Sequence, residues 1–229
     1  MSIGDRYKRV SQELESCCLE CGRDPREVRL VAVSKTVGLE GVREALNAGA
    51  CDFGENRPDQ IMGKFAEYPE ATWHFIGNVQ SRRIPDIVRC STLIHSVYQL
   101  RHVEKIDSCA ERLGKIQDVL IEVNVSGEQS KSGLASSEVR SFVEKCRPFE
   151  HVRIRGLMTM APRGDSAGIE SSFKGLANLR GEIRSSLDEQ RAPWFNELSM
   201  GMSEDWKEGI RAGATIVRIG RAIFSDSFE

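Results

Sequence analysis

The sequence of 229 residues lacks an excess of charge of either sign, since 32 Lys and Arg stand against 34 Asp and Glu, for a formal net charge of −2. A nucleic-acid-binding domain needs a basic excess to displace phosphate counterions. No apolar run approaches the roughly 18 residues that span a bilayer. The first ten residues are charged and contain no apolar signal-peptide segment. We therefore expect neither nucleic acid nor a membrane as a partner.

A disulfide or metal framework is also missing. The cysteines number seven, an odd count, and are scattered along the chain, so we expect reduced thiols and a cytoplasmic location. Cys18 and Cys21 have the spacing of a ligand pair, but no second cysteine pair or close histidine pair completes a zinc site. The pair lies in a helical pattern, Tyr7–Cys21, in which residues three apart share a face. We expect no metal there.

The dominant pattern is an alternation of short apolar segments with longer amphipathic ones. The apolar segments are rich in β-branched residues and end on a polar residue or glycine, which is typical of strands. They are Leu30–Lys35, Cys51–Glu55, Thr72–Gly77, Thr92–Val97, Val119–Asn124, Val152–Met160, Asn196–Gly201 and Thr215–Gly220. Between them the pattern predicts helices over Leu39–Ala48, Pro58–Glu67, Ser81–Val88, Gln99–Leu113, Ser136–Cys146, Ile169–Glu189 and Glu204–Ala212, and one more helix precedes the first strand.

Eight strand–helix units in sequence indicate an α/β fold with parallel strands, and such units close most naturally into a barrel. An open doubly wound sheet is the alternative. It usually has fewer strands and a Gly-x-Gly-x-x-Gly after the first, whereas this first strand ends in Ser34 and Lys35. No linker divides the chain, and Ala161–Gly168 is predicted as a surface loop. We predict one domain over residues 1–229, a single (β/α)8 TIM barrel with an extra N-terminal helix.

Active sites of such barrels lie at the carboxyl ends of the strands. The first predicted strand ends in Lys35, and a lysine against apolar walls loses hydration and becomes a nucleophile that forms a Schiff base. A lysine that merely extends to solvent is the alternative.

Small residues at the ends of the last two strands match the phosphate site of such barrels, where backbone N–H groups face an anion. Gly220 precedes Arg221–Phe224, which we predict as a short helix. We predict a different role for Ser203, which we expect to cap the predicted helix Glu204–Ala212. That helix would have Glu204 and Asp205 in its first turn and Gly213 after its end. A lysine and a phosphate site on one rim suggest a phosphorylated aldehyde held as an imine.

Eight stretches, in order along most of the chain, resemble the pyridoxal-phosphate homeostasis protein family, also known as the YggS or proline-synthetase-co-transcribed family. They are Leu30–Thr36, Phe53–Asn56, Trp73–Gly77 with Gln80 and Ser81, Ile94–Ser96, Val123 and Asn124 with Ser130–Leu134, Gly156–Thr159, Leu198–Ser203 and Val217–Gly220. Arg57 and Pro58 depart from the family pattern, which leaves the detailed shape of the rim open.

The resemblance implies a barrel like the N-terminal domain of alanine racemase, with pyridoxal 5′-phosphate (PLP) bound as an internal aldimine. It implies that Lys35 forms the imine and Arg218 faces the pyridine nitrogen. The same resemblance places Asn56 beside the ring and puts His74 either on the rim or in the core as a satisfied histidine. The positions it implies around the phosphate are Ser199, Met200, Gly201 and Gly220. It implies no metal.

Arg218 restricts the chemistry that this cofactor supports. A guanidinium only donates hydrogen bonds, so the ring nitrogen stays unprotonated and the ring is a poor electron sink. A racemase tolerates such an arginine but needs a second base opposite Lys35. Related racemases take a tyrosine from a separate C-terminal domain, and the tyrosines here are Tyr7, Tyr68 and Tyr98.

We therefore expect a PLP-binding protein of intracellular vitamin B6 homeostasis without a catalytic residue. It is expected to act as a monomer that limits the free aldehyde and hands it to apo PLP-dependent enzymes. A PLP-dependent amino-acid racemase is the alternative. A class I aldolase is disfavoured, because its lysine belongs on strand six, and the sixth predicted strand contains none.

Overall fold

The computed structural model describes residues 1–128, 132–162 and 164–228. Its strands are β1 (Arg29–Val33), β2 (Asp52–Glu55), β3 (Thr72–Phe75), β4 (Leu93–Val97), β5 (Gln117–Asn124), β6 (Leu134–Ala135), β7 (Val152–Met158), β8 (Glu197–Ser199) and β9 (Ile216–Ile219). The α-helices are α1 (Ile3–Glu20), α2 (Leu39–Asn47), α3 (Pro58–Glu67), α4 (Ile84–Cys90), α5 (Leu100–Arg112), α6 (Ser136–Lys145), α7 (Ser166–Ser186), α8 (Trp206–Arg211) and α9 (Arg221–Phe224).

The strands form one closed parallel barrel. Within the described residues, the order is β4-β3-β2-β1-β9-β8-β7-β5, and pairing of β4 with β5 closes the ring of eight. The two-residue β6 pairs with β5 outside that ring. The predicted (β/α)8 barrel and the extra N-terminal helix, α1, are therefore confirmed.

Apolar side chains from five of the strands pack together in the interior of the barrel. Val31, Leu93, Leu120, Met158 and Ile216 form one buried apolar cluster there. A larger apolar cluster joins the outer faces of the strands to the apolar faces of the surrounding helices. Because both faces of each strand are covered, the strands read as apolar runs rather than as an alternation.

Several element boundaries differ from the prediction. β1 ends at Val33, not at Lys35, because the chain turns at Ser34. The helix predicted over Ser81–Val88 is a 3-10 turn, Ser81–Arg83, followed by α4. α7 begins at Ser166, earlier than predicted, because the Asp165 side chain accepts a hydrogen bond from the Gly168 amide.

The prediction that Ser203 caps the helix after β8 is wrong. α8 begins at Trp206, with Asp205 at the N-cap position and no side-chain cap hydrogen bond, while the Ser203 hydroxyl serves elsewhere. Gly213 follows the helix as predicted, at a φ of 98°. The short helix after Gly220 is also confirmed, as α9.

Some predicted features lie outside the described residues. These are Ser130 and Lys131 of one family stretch, and Arg163 in the predicted loop Ala161–Gly168. Over the described ranges, no helix is both long and apolar enough to cross a bilayer, and no three His, Cys, Asp or Glu side chains are grouped as metal ligands. Cys18 is buried and Cys21 exposed, both as free thiols.

Gly156 is a point at which the backbone of β7 lies close against that of β8. Its φ is 150°, and a Cβ added there would lie 1.9 Å from the Glu197 carbonyl oxygen. The register of β7 against β5 also shifts beside it, between Ile154 and Gly156. Only glycine satisfies both the backbone conformation and the contact.

We predict that Gly156→Ala lowers the free energy of unfolding by at least about 2 kcal/mol, because backbone rather than a flexible side chain obstructs the new methyl group. Denaturant unfolding measures the change. Gly63→Ala is the matched control, since Gly63 is exposed within α3 with nothing near its Cβ position. That substitution is expected to stabilise the protein by about 0.5–1 kcal/mol. Equal effects of the two substitutions would contradict the assignment of strain to Gly156.

Candidate functional site

An open cavity of about 300 Å³ lies at the carboxyl-terminal mouth of the barrel. Four of the residues predicted for the site line it, namely Lys35, Asn56, Arg218 and Gly220. The wall is otherwise a mixture of apolar side chains, glycines and polar residues from the strand ends. The other lining residues are Val33, Ile76, Gly77, Met158, Met160, Pro162, Gly164, Ile169, Met202, Ser203, Glu204, Asp205 and Arg221.

Lys35 reaches this cavity from the turn after β1. It is exposed, so the burial by apolar walls predicted from the sequence is not observed. The preceding residue, Ser34, is fully buried and anchors the turn. Lys35 therefore presents its amine to an open space from a backbone that is held firmly beneath it.

A buried ion pair anchors the turn that carries Lys35. The Lys64 Nζ of α3 donates to the Glu55 Oε1 at 2.5 Å and to the Ser34 carbonyl oxygen at 2.8 Å. The Ser34 hydroxyl donates to the same Glu55 oxygen at 2.6 Å. The partners of the Gln60 side chain are two acceptors, so its amide nitrogen is the atom that faces them. In that orientation Gln60 donates to the second Glu55 oxygen at 2.9 Å and to the Lys35 carbonyl oxygen at 3.3 Å.

Arg218 of β9 is a buried cation at the floor of the cavity. Its Nη1 donates to the Ser199 Oγ at 2.5 Å, and its Nη2 donates to the Thr159 carbonyl oxygen at 3.0 Å. Burial lowers the pKa of Arg218 to about 10, while the carboxylates of Asp205 and Glu122 oppose that shift. The guanidinium therefore stays protonated at neutral pH, and further N–H donors remain on a side chain that lines the cavity.

A small cluster of polar groups lies at the start of α9. The amides of Gly220 and Ala222 both point at the Ser203 Oγ, at 3.3 and 3.4 Å. These are long hydrogen bonds, and one hydroxyl is shared between two donors. At the same rim, the Arg221 guanidinium pairs with Glu204 at 2.8 Å. Both amides are thus weakly satisfied, and Gly220 lines the cavity, where a stronger acceptor could replace the hydroxyl.

The remaining predicted residues do not face the cavity. His74 is fully buried inside the barrel, where it contacts Asp52 and His95. Ser199 is buried between His95 and Arg218. Met200 and Gly201 continue from β8 as buried backbone, and the Gly201 carbonyl oxygen accepts from the Arg218 amide at 3.0 Å.

Asn56 enters the cavity on a tightly packed loop. Asn56 is exposed, and its carbonyl oxygen would lie 2.0 Å from a Cβ added at Gly77. The loops after β2 and β3 therefore meet at van der Waals distance, and a side chain at Gly77 would separate them. This close contact fixes how far Asn56 projects over the mouth.

Sequence reasoning missed the contributions of Ser203, Glu55 and Lys64. Glu55 and Ser203 both lie in stretches that carry the family resemblance, which is the signal that could have marked them. The sequence does not mark Lys64 as a functional residue, because a single lysine in an amphipathic helix is typical of solvent-exposed surface.

The arrangement combines three chemical functions on one mouth. It has a primary amine on a fixed turn, a buried cation that can donate to an aromatic nitrogen, and weakly satisfied amides suited to an anionic oxygen. Of the described residues that line the cavity, none is a tyrosine. Tyr7 is buried in α1, and the Tyr68 hydroxyl donates to the Leu39 carbonyl oxygen.

Comparison with known proteins gives concordant matches over nearly the whole chain. The family described as "Alanine racemase, N-terminal domain" matches residues 21–227. A pyridoxal phosphate homeostasis protein of Aquifex aeolicus is 33% identical over 229 residues, covering 99% of this chain and 99% of that protein. Another, from Synechocystis, is 37% identical over 206 residues, covering 88% and 93%.

Solved structures match in the same way. PipY of Synechococcus elongatus, solved with PLP bound, has a TM-score of 0.83 at 31% identity and covers 98% of this chain and 100% of that chain. An alanine racemase of Clostridium difficile has a TM-score of 0.75 at 15% identity, covering 96% of this chain but 56% of that chain. The latter likeness shows the shared fold alone.

We predict that Lys64→Met lowers the free energy of unfolding by about 3–5 kcal/mol, because it leaves the buried Glu55 carboxylate without its cation. Denaturant unfolding measures the loss. Lys174→Met is the matched control, since Lys174 pairs with Glu170 on the exposed face of α7. A much smaller effect is expected there, and similar losses in the two variants would show that the Glu55 pair does not anchor the turn.

Proposed function

The chain belongs to the alanine racemase N-terminal domain family, and within it to the pyridoxal phosphate homeostasis proteins; from that premise we propose that it binds PLP and serves in PLP homeostasis. The observation that carries the proposal is the single cavity shared by Lys35, Arg218 and the amides beside Ser203. When bound, this cofactor supplies an electrophilic aldehyde and a conjugated pyridine ring.

The donor set fits the three functional ends of such a cofactor. The Gly220 and Ala222 amides share one hydroxyl at long distance, so a phosphate oxygen would satisfy them better than Ser203 does. Arg221 adds a cation at that rim, although Glu204 partly neutralises it. The negative end of the cofactor is therefore assigned to this side of the mouth.

Lys35 is proposed as the covalent attachment point for the aldehyde. It is a lysine on the cavity wall, and the Ser34 carbonyl oxygen directly before it is fixed by the buried Lys64. Holding the backbone in this way keeps the base of the Lys35 side chain at the cavity wall, and the flexible side chain is free to reach the aldehyde. Proximity of this kind favours a reversible bond over free diffusion of the aldehyde.

Arg218 is proposed to donate to the pyridine nitrogen. A guanidinium has no acceptor and stays charged, so it holds that nitrogen unprotonated. The ring then withdraws electrons weakly, which suits storage of the cofactor better than carbanion chemistry. Asn56 is proposed to lie beside the ring, since it lines the same wall.

The other predicted residues are proposed to act behind the cavity wall. Ser199 and Gly201 hold Arg218 by hydrogen bonds to its side chain and backbone, and Met200 lies between them in buried backbone. His74 lies deeper in the barrel. Their contribution to cofactor binding is therefore proposed to be indirect.

We place the protein in the cytoplasm as a monomer that limits the free aldehyde and hands it to apo PLP-dependent enzymes. Free thiols at all seven cysteines support a reducing compartment. The open cavity supports transfer, because a cofactor held at an exposed mouth can leave without unfolding of the barrel.

We predict that Lys35→Ala abolishes the absorption band of protein-bound PLP and weakens PLP binding by at least about tenfold. The loss follows from removal of the attaching amine, while the fold is kept because Lys35 is exposed. Spectra of the purified variants with added PLP measure the band, and borohydride reduction followed by peptide mapping locates the modified lysine. Lys174→Ala, on the exposed face of α7, is the control and is expected to keep the band.

An unchanged band in Lys35→Ala, or the label on another lysine, would refute this attachment point.

The racemase alternative is decided in parallel by a chiral assay of the PLP-loaded protein over common amino acids. No racemisation is expected, since no tyrosine is among the described residues that line the cavity.

A further inference from the structure

A continuous chain of side-chain hydrogen bonds crosses the interior of the barrel from Arg218 to the opposite mouth. Ser199 Oγ lies 2.5 Å from Arg218 Nη1 and 2.9 Å from His95 Nδ1. His95 Nε2 lies 2.9 Å from His74 Nδ1, and His74 Nε2 lies 2.9 Å from Asp52 Oδ1. We name these five residues the interior chain; they come from β9, β8, β4, β3 and β2 in turn.

Burial makes each link of the interior chain costly to break. Ser199, His95 and His74 are each 0% exposed, and the apolar cluster that includes Leu93 and Leu120 fills the same interior. A polar group left unsatisfied in such surroundings costs its full desolvation free energy. Both nitrogens of both imidazoles are paired within the chain.

The two ends of the interior chain set the direction of every hydrogen bond in it. Asp52 as a carboxylate only accepts, so a neutral His74 carries its proton on Nε2 and accepts on Nδ1. His95 must then donate from Nε2 and accept on Nδ1, where the Ser199 hydroxyl is the donor. The Ser199 oxygen is left to accept from Arg218, which can only donate.

This direction requires both histidines to be neutral. Burial lowers the pKa of His74, and it lowers the pKa of His95 well below its ordinary value, with the neighbouring His74 and Arg218 acting in the same sense on His95. A second proton on His74 would place two N–H donors face to face across the contact between the rings, and a second proton on His95 would set its Nδ1–H against the Ser199 hydroxyl donor. Every hydrogen bond of the interior chain is therefore donated in the same direction, from Arg218 toward Asp52.

Asp52 stands at the far end, at the amino-terminal mouth of the barrel. Its side chain is 20% exposed and also lies 3.6 Å from the Arg29 Nε. Another aspartate, Asp118, lies at the same mouth at 15% exposure, but its partners are Arg153 and Arg155 rather than a histidine. The two aspartates therefore share an environment and differ in their link to the interior chain.

We propose that Asp52 is a positioning residue for Arg218, acting through His74, His95 and Ser199 to hold the guanidinium against the ring of the bound cofactor. The proposal rests on the assignment of PLP to the cavity. Without an acceptor oxygen at position 52, neither tautomer of His74 is favoured, the order of the chain is lost, and the Ser199 hydroxyl is free to rotate. Arg218 then loses a fixed acceptor.

The first experiment uses the protein without cofactor. Long-range ¹H–¹⁵N correlation spectra of the histidine rings report which nitrogen carries the proton. We expect His74 and His95 both to be neutral, with the proton on Nε2 and an unprotonated Nδ1. Asp52→Asn keeps an acceptor oxygen and is expected to preserve this pattern. A proton on Nδ1 of either ring, or a doubly protonated ring at neutral pH, overturns the proposed order.

The second experiment measures the absorption band and dissociation constant of PLP in variants. Ser199→Ala is expected to shift the band and weaken binding by about tenfold, and Asp52→Ala to shift it in the same direction with a loss of about threefold. Because Asp52 acts through Ser199, the double variant is expected to match Ser199→Ala alone. Asp118→Ala is the matched control and is expected to leave the band in place.

Additive effects in the double variant, or equal effects of Asp52→Ala and Asp118→Ala, would show that Asp52 only stabilises the mouth. If Asp52→Ala fails to fold, the tautomers of the wild-type protein still decide the order of the chain. A wild-type protein without any band refutes PLP binding itself. A normal wild-type band with the wrong tautomers overturns only the role of Asp52.

Discussion

The structure depends on a guanidinium that is buried in the wall of a barrel and is held by hydrogen bonds from its Nη1 and Nη2 atoms. Arg218 obtains acceptors from the end of β8 and from the Thr159 carbonyl oxygen, and it presents the same group to the cavity. A cation in this place costs desolvation free energy, which shows in its lowered pKa. Its hydrogen bonds offset that cost and also fix its orientation. The Arg218 side chain therefore belongs both to the wall of the cavity and to the interior of the barrel.

The cavity is assembled from groups that are distant in sequence and rigid in structure. Lys35 stands on a turn fixed by the buried Glu55–Lys64 pair, and Asn56 on a loop held by contact with Gly77. The amides near Ser203 are fixed by the start of α9. Each group owes its place to backbone that other residues immobilise, so little backbone conformational entropy remains to be lost when a ligand is bound.

Much of this organisation could be predicted from the sequence. The apolar runs and their spacing predicted the eight barrel strands, and the glycines and small residues after the last two strands predicted the short helix α9. The places of Lys35, Asn56, Arg218 and Gly220 on one cavity followed from barrel geometry and the family stretches. Their roles toward a cofactor remain predictions.

Other features could not be predicted because they arise only when the barrel closes. The contact of Ser199 with His95 joins strands on opposite sides of the interior, and Lys64 reaches Ser34 from a helix thirty residues further along the chain. The sequence predicts Ser203 as a helix cap because Glu204 and Asp205 follow it. Its hydroxyl instead accepts hydrogen bonds from the Gly220 and Ala222 amides at the start of α9, a contact that the neighbouring sequence does not indicate.

The position of Ser203 bears on how readily an anion is taken up and given back. Its hydroxyl already accepts from the two amides that a phosphate would use. A phosphate oxygen that binds there would therefore displace the Ser203 hydroxyl and not bulk water. When the anion departs, rotation of one serine side chain re-covers the amides, and such rotations are fast compared with motions of loops. Because Ser203 can accept from both amides again, departure of the anion would leave neither amide without a partner, and reversible release of this kind suits a reservoir.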